Sequence, residues 1–322
     1  MLDQKLYYGT LSYQSNAVYL GVVVSDTGNI TFDIEKFIGI KRPNVTIKYN
    51  NFVRKNHMAP LNIKLQVLDA CASSSLVYAC ETWGTANVSS LEVAYRFGLK
   101  RALSVRENTK TEIVYIESER YPLAIRISKQ QVKFWNSLSK YLGENPEHPL
   151  AALIQQGKEM NLKYFTYYEN LVREFHTPEE LQKQLTERYH NAWGESIRQK
   201  AGNDEQSRCG VYLLVNPGLT PPKQRNNIME WERILTTRYR CGSHNLRIET
   251  GRLCNPSIPR IERYCSCNTD VQSLHHVLFD CPLIVDLHQE YDFTSIEEAL
   301  NRDDISQLLL KMERKLGICS SG

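Results

Sequence analysis

Residues 265–282, CSCNTDVQSLHHVLFDCP, gather three cysteines and two histidines, while the rest of the 322-residue chain spreads out the other six of each. The spacing is Cys265-x-Cys267-x8-His276-x4-Cys281. Three thiolates and one imidazole complete a tetrahedral zinc shell with bonds of about 2.0–2.3 Å. Four protein ligands leave no open coordination position, so such an ion would hold shape rather than carry out chemistry. His276 has the cleaner spacing to Cys281, with His275 as its competitor. Leu278 and Phe279 lie between the last two ligands and can back the module with apolar surface. The Cys265-x-Cys267 pair is one residue tighter than the common Cys-x2-Cys, so both sulfurs converge only if the chain bends there.

The approach to this run is rich in arginine. Residues 231–263 hold Arg233, Arg238, Arg240, Arg247, Arg252, Arg260 and Arg263 against Glu232, Glu249 and Glu262. The planar guanidinium suits bidentate phosphate contact and stacking. Tyr239, His244 and Tyr264 are interleaved with these cations and could offer faces to bases. A second basic region, 96–133, includes Lys100, Arg101, Arg106, Arg120, Arg126 and Lys129, with four glutamates interspersed. Arg238, Arg240, Arg247 and Arg252 are the first candidates for phosphate contact, with Lys100 and Arg101 second.

Other chemistry is hard to find. No P-loop, G-x-S-x-G, H-E-x-x-H or G-x-G-x-x-G occurs. Asp303-Asp304 is the one Asp-Asp pair, and the amphipathic ISQLLLKMERKL behind it marks a helix start rather than a two-metal site. Isolated cysteines and the absence of a secretory pattern at MLDQKLYYGT point to an intracellular protein of nucleus or cytoplasm, with no membrane partner.

The elements that must position these residues are mostly helical. AVYLGVVVSDTGNITF reads as a strand, a turn at Asp26–Asn29 and a second short strand. Helical pattern follows from about Asp33, punctuated by Pro43 and Pro60. LNIKLQVLDACASSSLVYACETWG reads as one long helix, with small residues at 70–75 that admit a close neighbour. Pro122 opens another helix, NPEHPL (145–150) forms a linker, and Thr177-Pro178-Glu179-Glu180 starts one of two or three helices over 151–200. Residues 202–210 and 216–227 read as connectors, and Ser295-x-x-Glu298 is a capping box for the C-terminal amphipathic helices.

Taken in order, these stretches resemble the C-terminal part of the endonuclease/reverse transcriptase polyprotein of non-LTR (LINE-type) retrotransposons. Tyr19-Leu20-Gly21-Val22 resembles the strand after the polymerase palm. LDACASSSLVYACETWG (68–84) resembles the thumb helix, and Leu99-Lys100-Arg101 a basic helix. Arg238-Tyr239-Arg240-Cys241-Gly242-Ser243-His244 is similar to the family's R-x-R-x-G-x-H segment, and the Cys-x-Cys…His-x4-Cys-Pro run to its zinc knuckle. The resemblance covers about residues 15–285. It implies a mainly α fold: a helical thumb/linker bundle with a small N-terminal β element and a C-terminal zinc-knuckle module. The expected divisions are 1–88 (post-palm strand and thumb), 89–200 (helical linker), 201–290 (arginine-rich segment and knuckle) and 291–322 (C-terminal amphipathic helix). It further implies RNA and/or DNA as partner, structural Zn2+, no small-molecule substrate, and support of RNA-directed DNA polymerisation in a complete protein. The catalytic palm and the endonuclease are not found in this sequence, so no activity is expected from this chain alone, read as a truncated element. The rival expectation is a zinc-stapled protein-interaction module that makes its contact through the C-terminal amphipathic helix.

Overall fold

Pro60 separates two helices because the residue before a proline is pushed out of the helical region and proline itself starts a helix well. Pro43 does not act this way: it sits inside a helix that runs on from Ile30 to Lys55. The lost backbone hydrogen bond is outweighed by Val45, Tyr49 and Val53, four residues apart and all buried. The computed structural model describes residues 16–19, 22–25, 30–83, 88–205, 207–222 and 228–318.

In chain order the elements are β1 (Asn16–Tyr19), β2 (Val22–Ser25), α1 (Ile30–Lys55), α2 (Leu61–Ser75), α3 (Cys80–Trp83), α4 (Ser89–Leu103), α5 (Thr111–Ser118) and α6 (Leu123–Glu144). They continue with α7 (Pro149–Glu159), α8 (Lys163–Glu174), α9 (Pro178–Ala201), α10 (Arg208–Val215), α11 (Glu230–Arg240) and α12 (Arg247–Thr250). The last three are α13 (Val285–Tyr291), α14 (Ile296–Asn301) and α15 (Ile305–Lys315). The described residues are mainly helical. β1 and β2 run antiparallel, with Ala17 opposite Val24. The expected turn at Asp26–Asn29 lies outside the described residues, and Ile30-Thr31-Phe32, expected as strand, opens α1 instead.

Further boundaries differ from the sequence pattern. The expected long helix over 61–84 breaks after Ser75, where three successive serines compete for backbone hydrogen bonds. Ala79 then takes a left-handed conformation (φ 54°) before α3. Residues 149–150 and 208–210, expected as connector, are helical: His148 Nδ1 accepts from Leu150 N, and Ser207 Oγ from Gly210 N. The Thr177 cap stands, its hydroxyl accepting from Glu180 N at 3.1 Å. At Ser295 only half the capping box forms. Ser295 Oγ accepts from Glu298 N, while Glu298 turns back to Thr294.

Two large apolar cores form. The first draws Leu68, Leu91, Leu99, Ile113, Ile197 and Tyr212, among others, from α2, α4, α5, α9 and α10. Gly98 lets α4 close on α2; a Cβ there would stand 2.4 Å from Leu68 Cδ1. Trp193 of α9 stacks on Tyr115 (5.0 Å between centroids, 3° between planes) and also on Tyr121. The second core joins α11, the cysteine-rich segment and α13–α15. α10 serves both: Cys209 and Tyr212 face the first core, Val211 and Val215 the second. Burying each Leu or Ile side chain contributes about 1.5–3 kcal/mol. Lys64 on α2 is fully buried and reaches Glu230 at the start of α11 (2.7 Å) and His57 O (2.6 Å), another tie between the two halves.

Candidate metal centre and its arginine-rich surround

The bend that Cys-x-Cys requires is present. Asn268 N donates to Cys265 O at 2.9 Å, closing a turn, and Asn268 itself is left-handed (φ 60°). Asparagine tolerates that conformation better than most residues. Cys265 N then donates to Asp270 O and Gln272 N to Arg263 O, so the strands entering and leaving the turn are paired. The second ligand pair sits on a π-helical turn, His276–Asp280. Its i→i+5 pitch returns Cys281 to the side of His276, which suits a spacing of five residues better than an α-helix would.

The ligand atoms of Cys265, Cys267, His276 and Cys281 all lie within 4.8 Å of one another. Cys265 Sγ and Cys281 Sγ are 3.7 Å apart, and Cys267 Sγ is 3.2 Å from His276 Nε2. A disulfide would need about 2.0 Å. Two sulfurs bound to one zinc at about 2.3 Å stand about 3.8 Å apart in a tetrahedron, close to what is found. His276 is 2% exposed and points Nε2 into the cluster, whereas His275 faces outward and pairs with Asp280 (3.2 Å). Burial thus agrees with the spacing to Cys281, which favours His276. The four groups are close enough to hold a metal ion and compatible with structural zinc.

Their electrostatics fit a cation. Burial opposes ionisation at Cys267, yet hydrogen bonds from the Thr269 hydroxyl and amide, from His276 and from Cys265 hold its thiol below the ordinary value. Burial, with the crowding by Cys265, pushes Cys281 the other way. Three such sulfurs become thiolates together only when a positive ion compensates them. Gln272 Nε2 lies 3.8 Å from Cys265 Sγ, and its Oε1 accepts from Arg247 N (2.8 Å), so one side chain links the ligand turn to α12.

The module is not free-standing. Val277, Leu278, Cys281 and Ile284 pack into the second core with Leu308, Leu309 and Met312 of α15. Leu278 backs the site as expected, while Phe279 is only partly buried and meets Phe293. The apolar face of α15 is therefore covered inside the protein.

The arginines divide into two groups. Four of the seven turn inward. Arg240 is held by Glu117 (2.9 Å), Arg233 by Glu230 (2.7 Å), and Arg238 Nε donates to Ser104 O (3.0 Å). Arg263 donates to Ile258 O and Ile248 O, clamping the loop between α12 and the cysteine turn. Arg247, Arg252 and Arg260 face out. Arg247 Nη1 reaches Tyr264 O (3.3 Å), Arg252 lies 3.5 Å from Glu249, and Arg260 pairs with Asp204. Of the interleaved aromatics, Tyr239 and His244 are buried and stacked on each other, and only Tyr264 is exposed.

The second basic region contains many ties between helices: Arg120 and Arg126 both bind Asp69, and Lys129 meets Gln182 and Glu179. Lys100 donates to Glu107 O, while Arg101 lies over Phe97 and near Glu107, its side chain 46% exposed. Sequence reasoning missed Arg208 and Glu249, a buried pair with Nε to Oε2 at 2.5 Å that joins α10 to α12. Isolated charged letters 41 positions apart give no hint of it. Comparison with known proteins returns nothing: no protein-family model, no curated protein and no solved structure matches this chain.

His244 lies behind the module, wholly enclosed. Burial, together with Arg106, Arg208 and Arg252, depresses its pKa from 6.5 to about 3. Above pH 6.5 it is neutral whether folded or unfolded and costs nothing. Below that the unfolded chain takes up a proton that the folded chain refuses, so stability falls as pH drops from 6.5 towards 3. At pH 5.5 this single group should cost about 1.4 kcal/mol. Urea unfolding at pH 7.0 and 5.5 should show a smaller loss in His244→Gln than in wild type; ligand protonation affects both proteins and cancels in the comparison.

Proposed function

We propose that this chain is a nucleic-acid-binding portion of a non-LTR retrotransposon reverse transcriptase, comprising thumb-like helices, a helical linker and a zinc knuckle. In the complete protein it would grip template RNA and target DNA while the polymerase works. The observation that carries this is the linkage of Arg247 to the cysteine cluster. Its guanidinium bonds the carbonyl of Tyr264, next to Cys265, and its amide bonds Gln272, which approaches the Cys265 sulfur. A metal clip at this place fixes the turn from which an outward arginine is presented. Arg252 and Arg260 are exposed in the same segment, and exposed Tyr264 offers a ring for stacking. Zinc would be held by Cys265, Cys267, His276 and Cys281, supplying shape and no open coordination site. Arg240 is engaged with Glu117 and Arg238 lines a different surface, so phosphate contact beside the metal module falls chiefly to Arg247 and Arg252.

The test is binding of labelled RNA and DNA followed by fluorescence anisotropy. Arg247→Gln with Arg252→Gln should weaken affinity roughly tenfold and about equally for unrelated sequences, and reduce the salt slope by about two. Zinc content should stay unchanged. Wild-type affinity in the double variant, at equal zinc content, would overturn the assignment.

A further inference from the structure

Sequence reasoning set Arg238 and Arg101 in different regions, 137 residues apart; the fold puts both on the walls of one cleft of about 790 Å³. The end of α1 supplies Arg54, and the loop after α4 supplies Arg106. These four arginines face a single lining carboxylate, Glu313, which is buried and already accepts from Tyr239 OH (3.1 Å). Burial raises the Glu313 pKa, against the opposing pull of the Tyr239 hydroxyl and Arg238.

The cations are not equally engaged. Arg54 is exposed and forms no ion pair among the described residues. Arg106 gives Nη2 to Asn245 Oδ1 (2.7 Å), but its Nη1 is buried without an acceptor. Arg238 anchors Nε to Ser104 O. A buried guanidinium nitrogen lacking an acceptor is unfavourable, and an incoming anionic oxygen would relieve it. The rest of the lining combines the polar Asn50, His57, Ser104, Ser243 and Asn245 with an apolar part that includes Val53, Met58, Leu235 and Leu310, with Trp231 as an indole ring. Met58 is 47% exposed.

We infer that this cleft between α1, α11 and α15 is a binding slot for single-stranded nucleic acid, with phosphates on Arg54, Arg101, Arg106 and Arg238 and a base against Trp231 and its apolar neighbours. The inference rests on the nucleic-acid reading above and extends it to a second surface. A basic rim over an apolar, aromatic floor is the arrangement that grips a strand by its backbone while stacking its bases. The volume lies in the ~300–1,000 Å³ range of pockets for small ligands, which admits one or two nucleotides but not a duplex. A duplex would remain on the arginines beside the metal module.

The experiment uses the full zinc-loaded chain with a labelled 12-nucleotide single strand and a duplex of the same sequence. Arg54→Gln with Arg101→Gln, both at exposed positions, should weaken single-strand binding about tenfold and duplex binding less than about twofold. The single strand should quench tryptophan fluorescence in wild type and much less in Trp231→Phe. With 4-thiouridine in the strand, photocrosslinks should map to residues 50–58 or 231–238 of the unmutated protein, a readout that does not depend on how any variant folds. If the arginine pair leaves single-strand affinity unchanged while Arg247→Gln with Arg252→Gln lowers it, the cleft assignment fails and the wider reading stands. If neither probe binds, both fail. Displacement of the strand by polyglutamate, with crosslinks elsewhere, would assign the cleft to an acidic peptide and overturn the inference.

Discussion

Cys281→Ser should release the metal and unfold the C-terminal part of the protein locally. Cys281 is fully buried beside Cys265 and shares its core with Leu278, Ile284 and α15. Serine supplies a poor zinc ligand and places a hydroxyl among apolar groups. Structural zinc contributes about 10–16 kcal/mol in isolated finger peptides. Here the module also leans on a real core, so a loss of about 5 kcal/mol is expected, part of the zinc-finger value. Amide hydrogen exchange should quicken over 246–316 and stay slow over α2, α4 and α5, and zinc content should fall from one equivalent to near zero. A chelator should reproduce both changes. Unchanged protection together with unchanged zinc content would show that Cys281 is not a ligand.

The second large effect is expected at Glu249. This carboxylate is buried, binds Arg208 through Nε and a second nitrogen, and lies 3.5 Å from Arg252. Arg208 also reaches Asn108 O, so the pair fastens the loop after α4 to both α10 and α12. Two buried charges do not by themselves make a protein more stable than two apolar side chains would. Removing only one of them strands the other. Glu249→Leu should therefore cost about 3–5 kcal/mol, because Arg208 and Arg252 are left crowded without compensation. Arg208→Met combined with Glu249→Leu should recover at least half of that. Urea midpoints for the single and double variants decide the matter; a double variant no more stable than Glu249→Leu would mean that the pair is held by something other than charge.

What could be read along the chain was what is local in it. The candidate metal ligands fall within seventeen residues, so their chemistry shows as spacing, and the Thr177-Pro178 helix start shows as a cap followed by a proline. Spacing to Cys281 favours His276 over His275, and the burial pattern agrees. The direction of Arg238 and Arg240 could not be read, because it is set by partners far away. Glu117 lies 123 positions from Arg240, and Glu230 lies 166 from Lys64. In sequence Arg240 and Arg247 look alike; in the fold one ties two helices together and the other meets solvent. The same reasoning explains the misread boundaries. Pro43 carries a local signal to stop a helix, and the long-range packing of Val45, Tyr49 and Val53 overrides it. The split role of α10 follows from which neighbours surround it, and a hydrophobic pattern does not distinguish one core from two.

The proposal that this chain binds nucleic acid rests on a Cys/His cluster able to hold a metal ion beside an arginine-rich segment. The cations exposed to solvent are Arg247 and Arg252 by the cysteine cluster and Arg54 and Arg101 at the cleft. The most direct measurement is the affinity of the zinc-loaded wild-type chain for single-stranded RNA between about 50 and 200 mM salt, the range over which counterion release is read. The logarithm of the association constant should fall linearly with the logarithm of salt, with a slope of about −2 or steeper for three or more phosphate contacts at about −0.7 each. No measurable affinity at the lowest salt, or an affinity that does not change across the range, would contradict nucleic-acid binding by this chain.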